Sequence, residues 1–220
     1  MPAVKPDVVD VRIATYAAEH STRPDAVQQA LIDETAAMGR VSMLQIGGDQ
    51  GVLLEMLTRA IGARRAVEIG TFTGYSALAI ARGLGPEGRL LCCDVSEEWG
   101  AVARRAWAAA GVDDRIELRI APALETLAAL PHDEPIDLAF VDADKTNYLH
   151  YYEALLPRVR TGGLVLVDNT LWRGQVLDRT DTSADTEAIR AFNDHVAADT
   201  RVQVVVLTIS DGLTVIEKLS

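Results

Sequence analysis

Apolar residues recur along this chain in two rhythms. From residue 66 onward, short apolar runs at 66–69, 89–93, 115–120, 136–141 and 163–167 have the length of buried strands. Between them, segments at 73–84, 97–110, 122–130 and 145–157 place apolar residues three to four apart and predict helices. Strand, helix, strand in that order predicts parallel strands with right-handed crossovers and helices on both faces of the sheet. A further helix is expected over 184–198, followed by two strand runs, VQVVVLTI and LTVIEKL, around Ser210-Asp211-Gly212. The short Asp-Gly turn predicts a hairpin, and so an antiparallel element closing a mostly parallel, seven-stranded sheet.

Residues 7–62 carry the helical rhythm alone, with a start near Pro24 and stops at Gly39 and Gly62. A glycine-rich loop, VSMLQIGGDQG, separates the last two of these helices and contains Met43. No repeat, low-complexity segment or linker interrupts the chain. The expectation is one domain over 1–220, with a helical cap (1–62) on a Rossmann-like three-layer α/β core (63–220).

Composition narrows the classes. The 220 residues are 49% hydrophobic and 24% charged, ordinary for a globular protein with a large core. The formal net charge of -11 argues against nucleic acid and against an anionic membrane surface. No run approaches the ~18 apolar residues of a membrane span, and the N-terminus lacks the apolar core of a secretion signal; a cytoplasmic location is expected. Adjacent Cys92 and Cys93 form no disulfide framework and are expected to be buried strand residues.

Two places hold candidate chemistry. In AVEIGTFTGYSALAIA, a strand runs into Gly70 and Gly74 before a helix. Glycine permits a tight turn and close approach of a ligand, and the helix start offers unpaired N–H groups. Phe72 stands where a dinucleotide fingerprint requires its second glycine, which weakens a nicotinamide reading, and no Walker lysine follows. Glu68, just inside the turn, suits an ammonium and repels phosphate. Asp94, 24 residues after Gly70, suits a ribose diol. Together they suggest a nucleoside with a cationic tail and no phosphates. The second place is a pair of strand exits. IDLAFVDADKTNY delivers Asp142, Asp144 and Lys145, and GLVLVDNTLW delivers Asp168 and Asn169, like two sides of one site.

The segments VEIGTFTGYSALAIA, FVDADKTNY and GGLVLVDNTLWRGQV resemble the cation-dependent O-methyltransferases, the family of the caffeoyl-CoA and, more distantly, catechol O-methyltransferases. The similarity runs from about Arg23 to the C-terminus. It implies S-adenosylmethionine as methyl donor. Glu68, the Gly70 turn and Ser76 then hold its methionine portion, Asp94 its ribose, and Val95 with Ala123 its adenine. Phe72 takes an aromatic position common in the family, and Met43 one that approaches the donor.

The same resemblance makes Asp142, Asp168 and Asn169 ligands of a divalent cation, Mg²⁺ first and Mn²⁺ or Ca²⁺ as alternatives. A hard dication prefers such oxygen donors and keeps open positions that a vicinal diol can chelate. A dication nearby favours a neutral Lys145 and a phenolate acceptor, so Lys145 is implied as general base. The acceptor is a catechol-like phenolic, with Lys145, Asn169 and Trp172 beside it, and a homodimer is expected. Asp144 is read as a helix cap or loop residue, Tyr148, Tyr151 and Tyr152 as core, and His20, His132, His150 and His195 as structural or surface. A nicotinamide-dependent oxidoreductase is the alternative. It accounts for Asp94 and leaves the strand-exit residues idle.

Overall fold

The structure, a computed structural model, describes residues 11–131 and 133–220. In chain order it contains α1 (Val11–Glu19), α2 (Ala26–Ala36), α3 (Gly48–Ala60), β1 (Arg65–Ile69), α4 (Tyr75–Gly83), β2 (Arg89–Asp94), α5 (Glu97–Ala110), β3 (Ile116–Ile120) and α6 (Ala123–Ala128). It continues through β4 (Ile136–Val141), α7 (Tyr148–Leu155), β5 (Val159–Val167), α8 (Ala184–Ala198), β6 (Val202–Leu207) and β7 (Leu213–Lys218). Short 3₁₀ turns at Gly39–Leu44, Lys145–Asn147 and Trp172–Leu177 carry the chain past the rim of the sheet. The expected first helix begins at residue 8, and its first three residues, like His132, lie outside the described residues.

All seven strands form one sheet in the order β3-β2-β1-β4-β5-β7-β6. β1 pairs in parallel with both β2 and β4, so the chain leaves β1 in one direction and returns on its other side. Loops after β1 and β4 therefore diverge and open a crevice at their carboxyl ends. β7 joins β5 antiparallel and β6 completes the hairpin, as the Asp-Gly turn predicts.

The apolar runs became central strands because both faces are covered. Along β4, Leu138 and Phe140 face one core with Leu54, Leu78 and Trp107, while Ala139 and Val141 face the other with Tyr152 and Phe192. Cys92 and Cys93 fall on opposite faces, both buried and both free. Tyr148, Tyr151 and Tyr152 are buried, as expected of core residues. The second helix starts one residue later than Pro24 suggests, because Asp25 is the better cap. Its carboxylate accepts from Val27 and Gln28 N–H, and the Gln28 side chain accepts from Asp25 N–H in a capping box.

β5 is four residues longer than its apolar run. Val159 pairs with Ile136, and the register then shifts before Leu164 pairs with Leu138. Gly162, at φ 71°, lies in the shifted segment, so the polar Arg-Thr-Gly-Gly stretch is bulged strand and not a turn.

At the switch point the strand tips nearly touch. Gly70 has φ 87°, and a Cβ added to it would lie 2.0 Å from the Asp142 carbonyl oxygen. Asp142 N–H donates to Ile69 O at 2.8 Å and Gly70 N–H to Cys93 O at 2.9 Å, which ties β1, β2 and β4 together at that level. The Gly74 carbonyl accepts the Trp107 indole N–H at 3.0 Å, fixing the start of α4 against α5. Gly70→Ala is expected to lower stability by about 3 kcal/mol or more, from left-handed strain and overpacking together. A denaturant titration reads this directly; an unchanged midpoint with unchanged slope contradicts the close approach.

Candidate active site

A cavity of about 1040 Å³ opens at the carboxyl ends of the strands, over the switch point. That is room for two small molecules side by side. Its lining brings together Met43 from the cap, Gly70, Phe72 and Ser76 from the first turn, and Asp94, Val95 and Ala123 from the next two crossovers. Asp142, Lys145, Asp168, Asn169 and Trp172 line the other end. Glu68 is not in the lining.

At the first end, a carboxylate organises the backbone. Asp94 Oδ2 accepts from Thr71 and Phe72 N–H at 2.9 and 2.7 Å. Its Oδ1 accepts from Val95 and Ser96 N–H at 2.7 and 2.8 Å. Four donors match the roughly four acceptor sites of a carboxylate. A ribose hydroxyl would share or replace one of them, a demand that spacing alone does not reveal. The bonds hold Phe72 at φ 50°, where its ring meets Trp99 edge-on at 4.9 Å. Val95 is 74% exposed and forms an open apolar wall.

Glu68 lies beneath this turn, fully buried, with neither carboxylate oxygen in a hydrogen bond of ordinary geometry. Its register partners are Cys92 and Phe140. Burial pushes its carboxyl up to about 8, although the Ser76 and Thr71 hydroxyls and the Cys92 thiol beside it pull the other way. Ser76, which does line the cavity, stands next to it.

At the other end, Lys145 is the hub. Its Nζ donates to Asp142 Oδ1 at 2.9 Å, to Asn169 Oδ1 at 2.7 Å and to the Tyr148 hydroxyl at 2.6 Å. The Tyr148 hydroxyl in turn donates to the Asp168 carbonyl at 3.0 Å. Oxygens from the exits of β4 and β5 thus converge on one cation. Asn169 reaches it from a left-handed backbone, φ 56°, with its N–H on Asp168 Oδ1 at 2.7 Å. Burial and the charge of Asp142 push the Asp168 carboxyl up, opposed by neighbouring Gln50, the Asn169 N–H and Lys145. Two carboxylates and an amide, with one carboxylate strained by its like-charged neighbour, form a donor set suited to a hard divalent cation. The Trp172 ring lies 5.7 Å from Lys145 Nζ.

Asp144 precedes the 3₁₀ turn at Lys145–Asn147 without capping it by a side-chain bond. It accepts instead from Asn147 and the Tyr151 hydroxyl and lines the cavity. Sequence reasoning missed Asp185, Ser210 and Asp211, which also line it. The only trace of the last two was the hairpin turn. Among the histidines, His20 stacks on Tyr16 and His150 is exposed. His195 bonds Glu153, in a surface cluster with Asp199 that Arg201 already bridges.

Comparison with known proteins follows the same outline. The family model described as O-methyltransferase matches residues 18–219. A Dictyostelium discoideum protein named "Probable caffeoyl-CoA O-methyltransferase 2" is 39% identical over 212 residues, covering 94% of this chain and 92% of that protein. The O-methyltransferase TomG from Streptomyces achromogenes, involved in tomaymycin synthesis and solved with SAM, superposes with a TM-score of 0.87 at 29% identity. That match covers 95% of this chain and 96% of TomG. An O-methyltransferase from Bacillus cereus solved with SAH has a TM-score of 0.86 at 31% identity, covering 94% and 97% of the two chains.

The Glu68 burial has a consequence for stability. In the folded, ligand-free protein Glu68 keeps its proton to about pH 8, whereas the unfolded chain releases it near the ordinary value of 4.5. Between those values the unfolded state holds fewer protons, so stability falls as pH rises through the window and levels off above it. Glu68→Gln is expected to remove that fall. Denaturation midpoints of both proteins from pH 5 to pH 9 give the comparison; parallel curves would mean that Glu68 is charged when folded.

Proposed function

The chain belongs to the O-methyltransferase family and is an S-adenosylmethionine-dependent O-methyltransferase; on that premise we propose that it methylates a catechol-like aromatic diol with the help of a divalent cation. The observation that carries this reading is Lys145, whose ammonium gathers Asp142 and Asn169 beside the glycine turn. The alternative of a nicotinamide oxidoreductase finds no support in the family model, the relative or the two solved structures compared above, each of which is named for methyl transfer.

We assign the methionine portion of the donor to the Gly70 turn, with Ser76 and Glu68 toward its ammonium, the ribose to Asp94, and the adenine to the space between Val95 and Ala123. Asp142, Asp168 and Asn169 would hold the cation, Mg²⁺ first, which supplies positive charge that stabilises a phenolate. Lys145 would act as general base, taking the acceptor's hydroxyl proton at Nζ. Tyr148 orients that nitrogen, itself anchored on the Asp168 carbonyl. Trp172 forms an acceptor wall. Holding donor and acceptor in one cavity supplies proximity.

Three measurements test this. Methylation of catechol is expected to cease in excess EDTA and return with Mg²⁺; full activity in EDTA rules the cation out. Asp168→Ala is expected to weaken Mg²⁺ binding in calorimetry by at least about 10–100-fold, with the circular-dichroism spectrum of the folded protein retained. Lys145→Met is expected to lower kcat by about 10²–10⁴ with little change in KM, the range for a lost general base.

A further inference from the structure

The mouth of the acceptor end has a charge pattern that the chemistry above does not use. Asp144, Asp185 and Asp211 line it, from three different elements. Asp185 is exposed in the first turn of α8. Asp211 sits in the hairpin turn between β6 and β7. That turn is docked on the loop after β5 by Thr170 and Leu171 N–H, each 3.0 Å from the carbonyls of Gly212 and Asp211. Asp144 is fixed by Tyr151 and Asn147. Among the described lining residues only Lys145 and Arg173 are basic. Lys145 is enclosed by its three oxygen partners, and the backbone N–H of Arg173 is bonded to Asp211.

Such a mouth suits one class of acceptor. A CoA thioester carries a diphosphate and a 3′-phosphate, and phosphate recognition calls for several arginine or lysine donors. Here the lining holds one exposed arginine beside these three aspartates, inside a chain of net charge -11. An anionic tail is repelled on approach, and a cationic tail is drawn in.

We propose that the acceptor is a free aromatic vicinal diol without an anionic tail, that ammonium-bearing diols are preferred, and that Asp185 and Asp211 set this preference. The inference rests on the diol-methylating function above and adds the charge of the substrate. It separates this chain from what the name of its Dictyostelium discoideum relative says of that protein.

The test is a charge series on one scaffold. Protein loaded with S-adenosylhomocysteine and Mg²⁺ is titrated calorimetrically with 3,4-dihydroxyphenethylamine, catechol, 3,4-dihydroxyphenylacetate and caffeoyl-CoA. The amine is expected to bind about tenfold more tightly than the matched carboxylate at low salt, a margin that narrows above roughly 0.3 M salt as charges are screened. Caffeoyl-CoA is expected to be weakest. Asp185→Asn is expected to shift the amine-to-carboxylate ratio about threefold toward the carboxylate, and Asp185→Lys about tenfold. The kcat/KM values for the four acceptors are expected to rank in the same order. A carboxylate or thioester that binds as well as the amine overturns the proposal, as does a ratio unmoved by Asp185→Lys. Methyl transfer that is best with caffeoyl-CoA overturns the charge preference alone. Methyl transfer to none of the four overturns the diol-methylating function together with it.

Discussion

The site depends on one close approach, where the tips of β1 and β4 meet over the switch point. With Gly70 left-handed and the Asp142 carbonyl where any Cβ would be, the two loops can diverge from a shared floor. That floor brings the glycine turn within one cavity of the acid-bearing exits of β4 and β5. Gly70 holds its place through φ and contact together, so two independent forms of strain oppose any side chain there.

Around that floor, polar groups divide into those that build and those left over. Asp94 spends both oxygens on the backbone of two loops and so shapes the turn from within. Lys145 is bound by three oxygens, which positions an amine at the meeting point of two strands. Glu68 and Gln50 are the residue of this economy, buried polar side chains with no partner of ordinary geometry. A native fold retains such groups where ligand chemistry or strain accounts for them. Glu68 lies under the Gly70 turn, and Gln50 beside Asp168.

The comparisons and the geometry speak to different levels of function. Family and fold determine the reaction class, methyl transfer from S-adenosylmethionine. The far end of the cavity is lined by elements that differ in kind: a 3₁₀ loop, the start of α8 and a hairpin turn. Loops carried on a rigid sheet can change their charge at little cost to the core. Substrate charge is therefore the property in which this chain can depart from relatives with the same reaction.

How much of this was legible in sequence follows from what each feature depends on. Residues 66–69 and 136–141 were plain because a strand covered on both faces is apolar at nearly every position, and Asp142, Asp168 and Asn169 stood out because strand exits mark the ligand side of such a sheet. The first four residues of β5, Val-Arg-Thr-Gly, were hidden, since three of them have turn composition and the stretch is anchored in the sheet only by the pairing of Val159 to Ile136. Asp185 and Asp211 were hidden because their neighbours are supplied by the antiparallel docking of β7 on β5 and by the packing of α8. The partners of Asp94 and the isolation of Glu68 were equally out of reach. By itself the sequence determined the order of elements, the buried strands and the chemical groups at their ends, because those follow from local periodicity and residue type. Only the tertiary structure decided which groups share a cavity, which are already satisfied and what charge the mouth presents, because hydrogen bonds and electrostatic fields depend on distances between residues far apart in the chain.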